Sequence, residues 1–249
     1  MIKVVLLGAG NVAIHLAKAF VKAGNINFVQ RYRRNDKNDS FFDYSIPFTD
    51  KLHELIRADV YIIAINDDSL SAFSEKLPVL KGLVVHTSGS ISLKSLSDKL
   101  RRGVFYPLQS FSKEQNLDFK NIPIAIETEF KKDKELIEKL ASSISNYVYS
   151  IDSKQREKLH LAAVFANNFS NFMFTIAKDL SDEYNFPFDI LKPLILETAN
   201  KIQVTDPRKA QTGPAIRNDK KVIDKHLSQL KGEKKEIYKL ISESIMKSS

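Results

Sequence analysis

The chain has 249 residues, 43% hydrophobic and 27% charged, enough apolar material for a buried core and too much for a disordered or fibrous protein. The absence of cysteine excludes a disulfide scaffold, a thiol nucleophile and any cysteine-ligated metal. Lys and Arg number 38 against 30 Asp and Glu, a net charge of +8, but the cations are interleaved with acids on helix-like faces, as in Lys131-Lys132-Asp133-Lys134-Glu135. No basic and aromatic platform suited to nucleic acid accompanies them, so none is expected as a partner.

The first apolar run, residues 2–7, is closed by glycine and lacks a basic leader or cleavage site, so it reads as a strand and not as a signal peptide. Further strand-length runs follow at residues 28–32, 60–65, 83–85, 104–106 and 122–126. No apolar stretch reaches the roughly 18 residues needed to span a bilayer. The expectation is a soluble, cytoplasmic protein with no membrane partner. Between the first two runs, Val12, Ala13, Leu16, Ala17, Phe20 and Val21 recur at helical spacing, which makes a βαβ unit. Alternation of strands and helices through the first half predicts a parallel sheet with helices on both faces. Thr49 and Ser92 read as caps of short helices.

From residue 153 the strand signals stop. A helical pattern runs from about Lys154 to Tyr184 as one long helix. Pro187 and Pro193 bracket the start of the next, and two more follow at residues 219–230 and 233–246. The predicted organisation is therefore a Rossmann-type α/β domain over residues 1–152 and an all-helical domain over 153–249. The long helix is apolar all round, with Leu161, Phe165, Phe169, Phe172 and Phe174 among its residues. Such a helix needs cover on every side, which predicts a homodimer through the helical domain.

Gly8-Ala9-Gly10-Asn11-Val12-Ala13 is a GxGxxA loop placed between the first strand and its helix. The first glycine permits a tight turn, the second admits a pyrophosphate to the backbone, and the small last residue lets helix and strand pack closely. A dinucleotide is the expected ligand, bound by Gly8, Ala9, Gly10, Asn11 and Val12 at a helix N-terminus. About 20 residues further on, where an NAD site places an acid on the ribose, stand Arg31-Tyr32-Arg33-Arg34. Forked guanidinium bonds from Arg33 and Arg34 suit a 2′-phosphate, so NADP is preferred; Asp36 nearby would blunt that preference and keeps NAD possible.

Ligands of an open parallel sheet lie beyond the carboxyl ends of its strands. The residues there are polar: Asn66-Asp67-Asp68, His86-Thr87-Ser88-Gly89-Ser90 and Tyr106-Pro107-Leu108-Gln109-Ser110. Asn66, Asp67 and Ser88 are expected on the cofactor, Tyr106 and Gln109 on a small-molecule substrate. Hydride transfer to a carbonyl or imine also needs a proton donor. His86, at the end of a strand-like run, leads, with Tyr106 and His226 the other candidates; His226 reads as a core or surface residue, and His15 and His53 have no supporting neighbours. Five histidines without an acid cluster give no metal site.

With Gly8 to Ala13, His86 to Ser90, Phe105 to Ser112, Leu159-His160, Asn167-Asn168 and Thr212-Gly213-Pro214-Ala215-Ile216-Arg217-Asn218-Asp219 in order, nearly the whole chain resembles an uncharacterised family of Rossmann-like proteins with a helical domain of unknown function. That family is similar to pyrroline-5-carboxylate reductases, deazaflavin-dependent NADP oxidoreductases and the 6-phosphogluconate dehydrogenase superfamily. The resemblance implies the fold, the cofactor class and pairing through the helical domain, but no substrate. β-Hydroxyacid dehydrogenases of that superfamily carry a catalytic lysine three residues before an Asn-Asn or His-Asn pair. The pair here is Asn167-Asn168, expected near substrate, and the lysine position is Val164, which cannot transfer a proton. His160, one helical turn earlier, is the second candidate donor. Two readings stay open: an NADP-dependent oxidoreductase acting on a small metabolite, and a catalytically inactive dinucleotide-binding regulatory protein. A methyltransferase ranks below both, because it would want an acid where Arg33 and Arg34 stand.

Overall fold

The computed structural model describes residues 1–34 and 45–248. Two compact units divide at Met1–Asn167 and Asn168–Ser249. In the first, β1 (Ile2–Leu7), β2 (Ile26–Tyr32), β3 (Phe48–Thr49), β4 (Val60–Ile63), β5 (Leu83–His86), β6 (Arg101–Pro107), β7 (Ile124–Thr128) and β8 (Val148–Ser150) form a sheet of order β3-β2-β1-β4-β5-β6-β7-β8 among the described residues. The strand order reverses at β1, on one side of which lie β2 and β3 and on the other β4, and this is where an α/β sheet opens its ligand crevice.

Alternation along each strand sorts the core into two layers. Val4 and Leu6 of β1 face α1 (Asn11–Lys22), whose Ala13, Ile14, Leu16, Ala17 and Phe20 are buried, and share that layer with Ile137, Leu140 and Ala141 of α3 (Lys134–Ile144). Val5 and Leu7 face the opposite layer, with Leu70 and Phe73 of α2 (Asp67–Glu75). Truncating one of these residues to alanine would cost about 2–5 kcal/mol.

The sheet departs from a wholly parallel arrangement at one pair. β7 runs antiparallel to β6, in register from Gly103 opposite Thr128 to Pro107 opposite Ile124. A parallel return needs a crossover of a dozen or more residues, usually a helix; the link here carries only the short 3-10 turn Phe119–Asn121, so the chain doubles back. The two-residue β3 and three-residue β8 extend the sheet beyond the runs visible in the sequence. Ser92 caps its short turn through the Lys94 amide as expected. Thr49 does not cap a helix: it lies in β3, and its hydroxyl donates to Glu54 while accepting the Lys51 amide.

The helical half begins at α4 (Ser153–Ala163), where Asp152 and Gln155 form a capping box. The expected single long helix is interrupted. Residues Val164–Phe169 form a π turn before α5 (Ser170–Glu183) resumes. The first unit runs to the middle of that π turn and so includes α4, whereas the change of texture in the sequence falls at residue 153. In the second unit α6 (Lys192–Val204), α7 (Pro207–Ala210), α8 (Lys220–Gln229) and α9 (Gly232–Ser248) follow α5. Among its described residues only Ser181, Ala215, Ile223 and Ser242 are buried. No helix among the described residues is long and apolar enough to cross a membrane.

Candidate functional site

The glycine loop turns where β1 ends. Gly8 has φ +138°, and a Cβ there would lie 2.1 Å from the carbonyl oxygen of Ala64, just past the end of β4, so only glycine fits. Gly10 differs: a Cβ there would meet no protein atom within 4 Å. It opens α1 with extended backbone and contributes no side-chain cap, which leaves the first-turn amides available to an anion. Ala13, fully buried, gives the close packing of helix on strand that the motif requires.

These residues floor a cleft of about 640 Å³. Gly8, Ala9, Gly10, Asn11 and Val12 lie along it, with Arg33 and Arg34 also in its lining. Asn66, Thr87 and Gln109 contribute from the ends of β4, β5 and the segment after β6. The guanidinium groups of Arg31 and Arg33 stand 5.7 and 5.3 Å from the centre of the Phe48 ring, a cation–π arrangement that orders the arginine end of the cleft. Asp36 lies outside the described residues. The Asn11 amide donates to the Phe111 carbonyl at 2.8 Å, and the His15 ring nitrogen is 2.8 Å from the Ser112 carbonyl. Together they strap the segment after β6 onto α1, a role for His15 that its sequence neighbours do not suggest.

A second group of residues gathers next to this cleft along the chain. Tyr106, on β6, places its hydroxyl 3.1 Å from Nδ1 of His160 on α4, with the rings edge to face. Tyr106 is 9% exposed and His160 is half-buried. Burial raises the Tyr106 pKa above the usual phenol value, Asp67 adds to the rise, and the Arg156 charge offsets part of it, so the hydroxyl keeps its proton. Gly89 closes the pair from the side: a Cβ there would fall 2.7 Å from both His160 Nδ1 and Tyr106 Cζ.

His86 sits differently. Its ring is fully buried, Nδ1 accepts the Ser88 amide at 3.2 Å, and Nε2 has no well-formed hydrogen bond. Burial pushes its pKa down to about 4, helped by the Arg156 charge and opposed by Asp67 and the Ser92 backbone. A ring held neutral and sealed from solvent has no path to a substrate, so the precedence that the sequence gives His86 over His160 is reversed by burial. Thr87, just past the end of β5, lines the cleft, whereas His86, the last residue of the strand, is fully buried.

Asp67 and Ser88, expected on the cofactor, bond to each other at 2.7 Å, and Ser90 donates to the same carboxylate oxygen at 2.8 Å. Neither Asp67 nor Ser88 lines the cleft. Asn167 and Asn168 are exposed within the π turn, the first closing one unit and the second opening the other. His226 belongs to the second unit, where its Nδ1 pairs with the Tyr238 hydroxyl at 2.8 Å, and His53 is exposed. Sequence reasoning missed Arg156, which is 1% exposed and pairs with Glu127 of β7 and with the Ile91 carbonyl. The available signal was its spacing, one helical turn before His160.

A model of the family described as "Domain of unknown function (DUF2520)" matches residues 122–245. The putative NADP oxidoreductase BF3122 from Bacteroides fragilis is 41% identical and superposes with a TM-score of 0.87, over 99% of this chain and 98% of that one. The chain belongs to the DUF2520 family. Two more distant structures share the fold of this DUF2520 protein. Protein TM1727 from Thermotoga maritima is 19% identical at a TM-score of 0.75, over 98% of this chain and 97% of that one. The imine reductase from Myxococcus stipitatus, in complex with NADP+, is 11% identical at 0.67, over 98% and 92%. No curated protein matches the DUF2520 chain.

Proposed function

We propose that the chain is an NADP-dependent reductase acting on the carbonyl or imine of a small metabolite. The observation that carries this reading is the Tyr106–His160 pair one loop away from the arginine-bearing glycine cleft, all within one compact unit. The name of the 41%-identical Bacteroides fragilis protein supports it. The residues present fit the cofactor. Open space over Gly10 and the uncapped amides of α1 suit a pyrophosphate, and Arg33 and Arg34 suit a 2′-phosphate that NAD lacks. When bound, NADPH supplies the hydride.

The chain's own residues supply the proton. The Tyr106 hydroxyl donates to Nδ1 of His160, which sets the tautomer and leaves the ring proton on Nε2 for the developing alkoxide or amine. Tyr106 thus orients His160: as Nε2–H passes to the substrate, the Tyr106 proton shifts to Nδ1 and is replaced from solvent, so that the pair takes the role that related dehydrogenases give to a lysine at the position of Val164. Gln109, in the cleft lining, hydrogen-bonds the substrate. We further propose that two chains pair through the second unit. α6 has no buried residue although Leu194, Leu196, Ile202 and Val204 lie on it, and a unit with so few buried side chains cannot be stable alone.

A thermal-shift comparison of NADPH with NADH tests the cofactor, since a ligand at 100 times its Kd adds about 2.7 kcal/mol of stability. A screen of ketones and imines with NADPH then identifies a substrate. His160→Gln and Tyr106→Phe should each lower its turnover, the former by about 10²–10⁴. Absence of any NADPH shift, or full turnover in His160→Gln, would end this reading.

A further inference from the structure

The loop between the cofactor cleft and the Tyr106–His160 pair is held by one carboxylate. Asp67 begins α2, where the helix N-terminus favours an anion. Its Oδ2 accepts from the Ser88 hydroxyl at 2.7 Å and the Ser90 hydroxyl at 2.8 Å. The Ser88 oxygen accepts in turn from the amides of Ser90 and Ile91, at 3.2 and 3.1 Å. Between the two clasped serines lies Gly89, whose backbone packs against both rings of the pair, with room for no Cβ. On either side of the clasp, Asn66 and Thr87 line the cleft.

We infer that Asp67 is a positioning residue: it clamps residues 88–90 so that Gly89 holds His160 and Tyr106 in place beside the cofactor cleft. It bonds neither cofactor nor substrate. The inference rests on the reductase reading for its kinetic consequence but not for its geometry. Both serines use the same carboxylate oxygen, so an amide oxygen in that place can accept both bonds without the charge. The clamp therefore depends on shape, and the asparagine variant distinguishes it from a role that needs a negative charge.

The experiment compares Asp67→Ala, Asp67→Asn and Ser90→Ala in the full chain, each first checked for cooperative melting. The His160 ring is followed by NMR, its signals assigned with His160→Gln. The broken-pair reference is Tyr106→Phe. In Asp67→Ala the His160 signals should move toward that reference and turnover should fall about tenfold to a hundredfold, the cost of misplacing a reacting group by an ångström or less. The Kd of NADPH should stay within about twofold. Asp67→Asn should restore both the signals and most of the turnover, and Ser90→Ala, which keeps half the clasp, should move the signals partway even if Asp67→Ala fails to fold. Unmoved His160 signals in Asp67→Ala or Ser90→Ala would overturn the inference. So would an asparagine variant as impaired as the alanine one, or a loss of NADPH affinity parallel to the loss of turnover. If the wild type binds no NADPH, the reductase reading fails while the NMR comparison still decides the clamp.

Discussion

Acidification should cost this protein stability through one ring. His86 ends β5 with no exposed surface, and burial, aided by the Arg156 charge, lowers its pKa to about 4. In an unfolded chain a histidine titrates near 6.5. Between those two values the unfolded chain binds a proton that the native state does not, so stability rises with pH across the window. The contribution is complete above about pH 6.5 and is lost progressively as the pH falls toward 4. At 1.36 kcal/mol per pH unit, a gap of about 2.5 corresponds to about 3 kcal/mol, a large share of the 5–15 kcal/mol typical of a folded protein. His86→Asn removes the titration and keeps an oxygen where Nδ1 accepts the Ser88 amide. Urea unfolding followed by circular dichroism, from about pH 7 down to about 4.5, gives the stability of each chain, and groups common to both cancel in the comparison. The wild type should lose more stability than the variant over that range, by about 2–3 kcal/mol. Parallel curves would refute the assignment of His86 as a buried neutral ring, and with it the argument that removes His86 from the chemistry.

Wild-type chain should bind NADPH more tightly than NADH by calorimetry. Replacing Arg33 and Arg34 together by alanine should erase the difference, since charge-assisted bonds are worth about 1.5–3 kcal/mol each; equal affinities in the wild type would sink the 2′-phosphate assignment. Gly10→Val should abolish NADPH binding while melting stays cooperative, because the new side chain enters open space. Gly8→Ala should instead destabilise the fold itself, with its Cβ 2.1 Å from the Ala64 carbonyl oxygen. Light scattering at micromolar concentration should give twice the chain mass of 28.3 kDa, and a monomer that persists on concentration would end the dimer proposal.

The glycine-loop cleft was legible in the sequence because its determinants are local: the glycine spacing, the helix that follows it and the arginines after the second strand each lie within a few residues of one another. The helical character of the second half was legible for the same reason, as was Ser92 as a cap. The reversal at β7 was harder, though the link before it lacks a helix-length apolar pattern. The burial of His86 was not legible, because nothing local tells whether the last side chain of a strand is covered, while Thr87 just past it lines the cleft. The π turn at Val164–Phe169 has no local signature that separates it from an α-helical run. It coincides with the Asn167-Asn168 pair, where an extra residue re-aims side chains that a regular helix would place elsewhere.

The rotation of α4 decides whether His160 meets Tyr106, and that rotation depends on contacts between residues far apart in sequence. Arg156, one turn before His160, sends one guanidinium nitrogen to Glu127 of β7 and another to the Ile91 carbonyl. Ser153 reinforces the arrangement, donating to Glu127 at 2.8 Å and accepting the Leu93 amide at 3.2 Å. A buried ion pair is a poor source of net stability, because desolvating each charge costs several kcal/mol that the attraction only partly offsets. An apolar residue at 156 would serve the core as well and would leave the helix free to rotate by small steps among similar packings. Directional bonds from a planar guanidinium to β7 and to the loop after β5 admit far fewer orientations. They fix α4 on the β6–β7 side of the sheet and bring His160, one turn further on, against Tyr106. This explains why the first unit runs on to Asn167 and does not stop where the strands end. The helix that carries His160 is anchored by its own first turn to the sheet that carries the glycine loop.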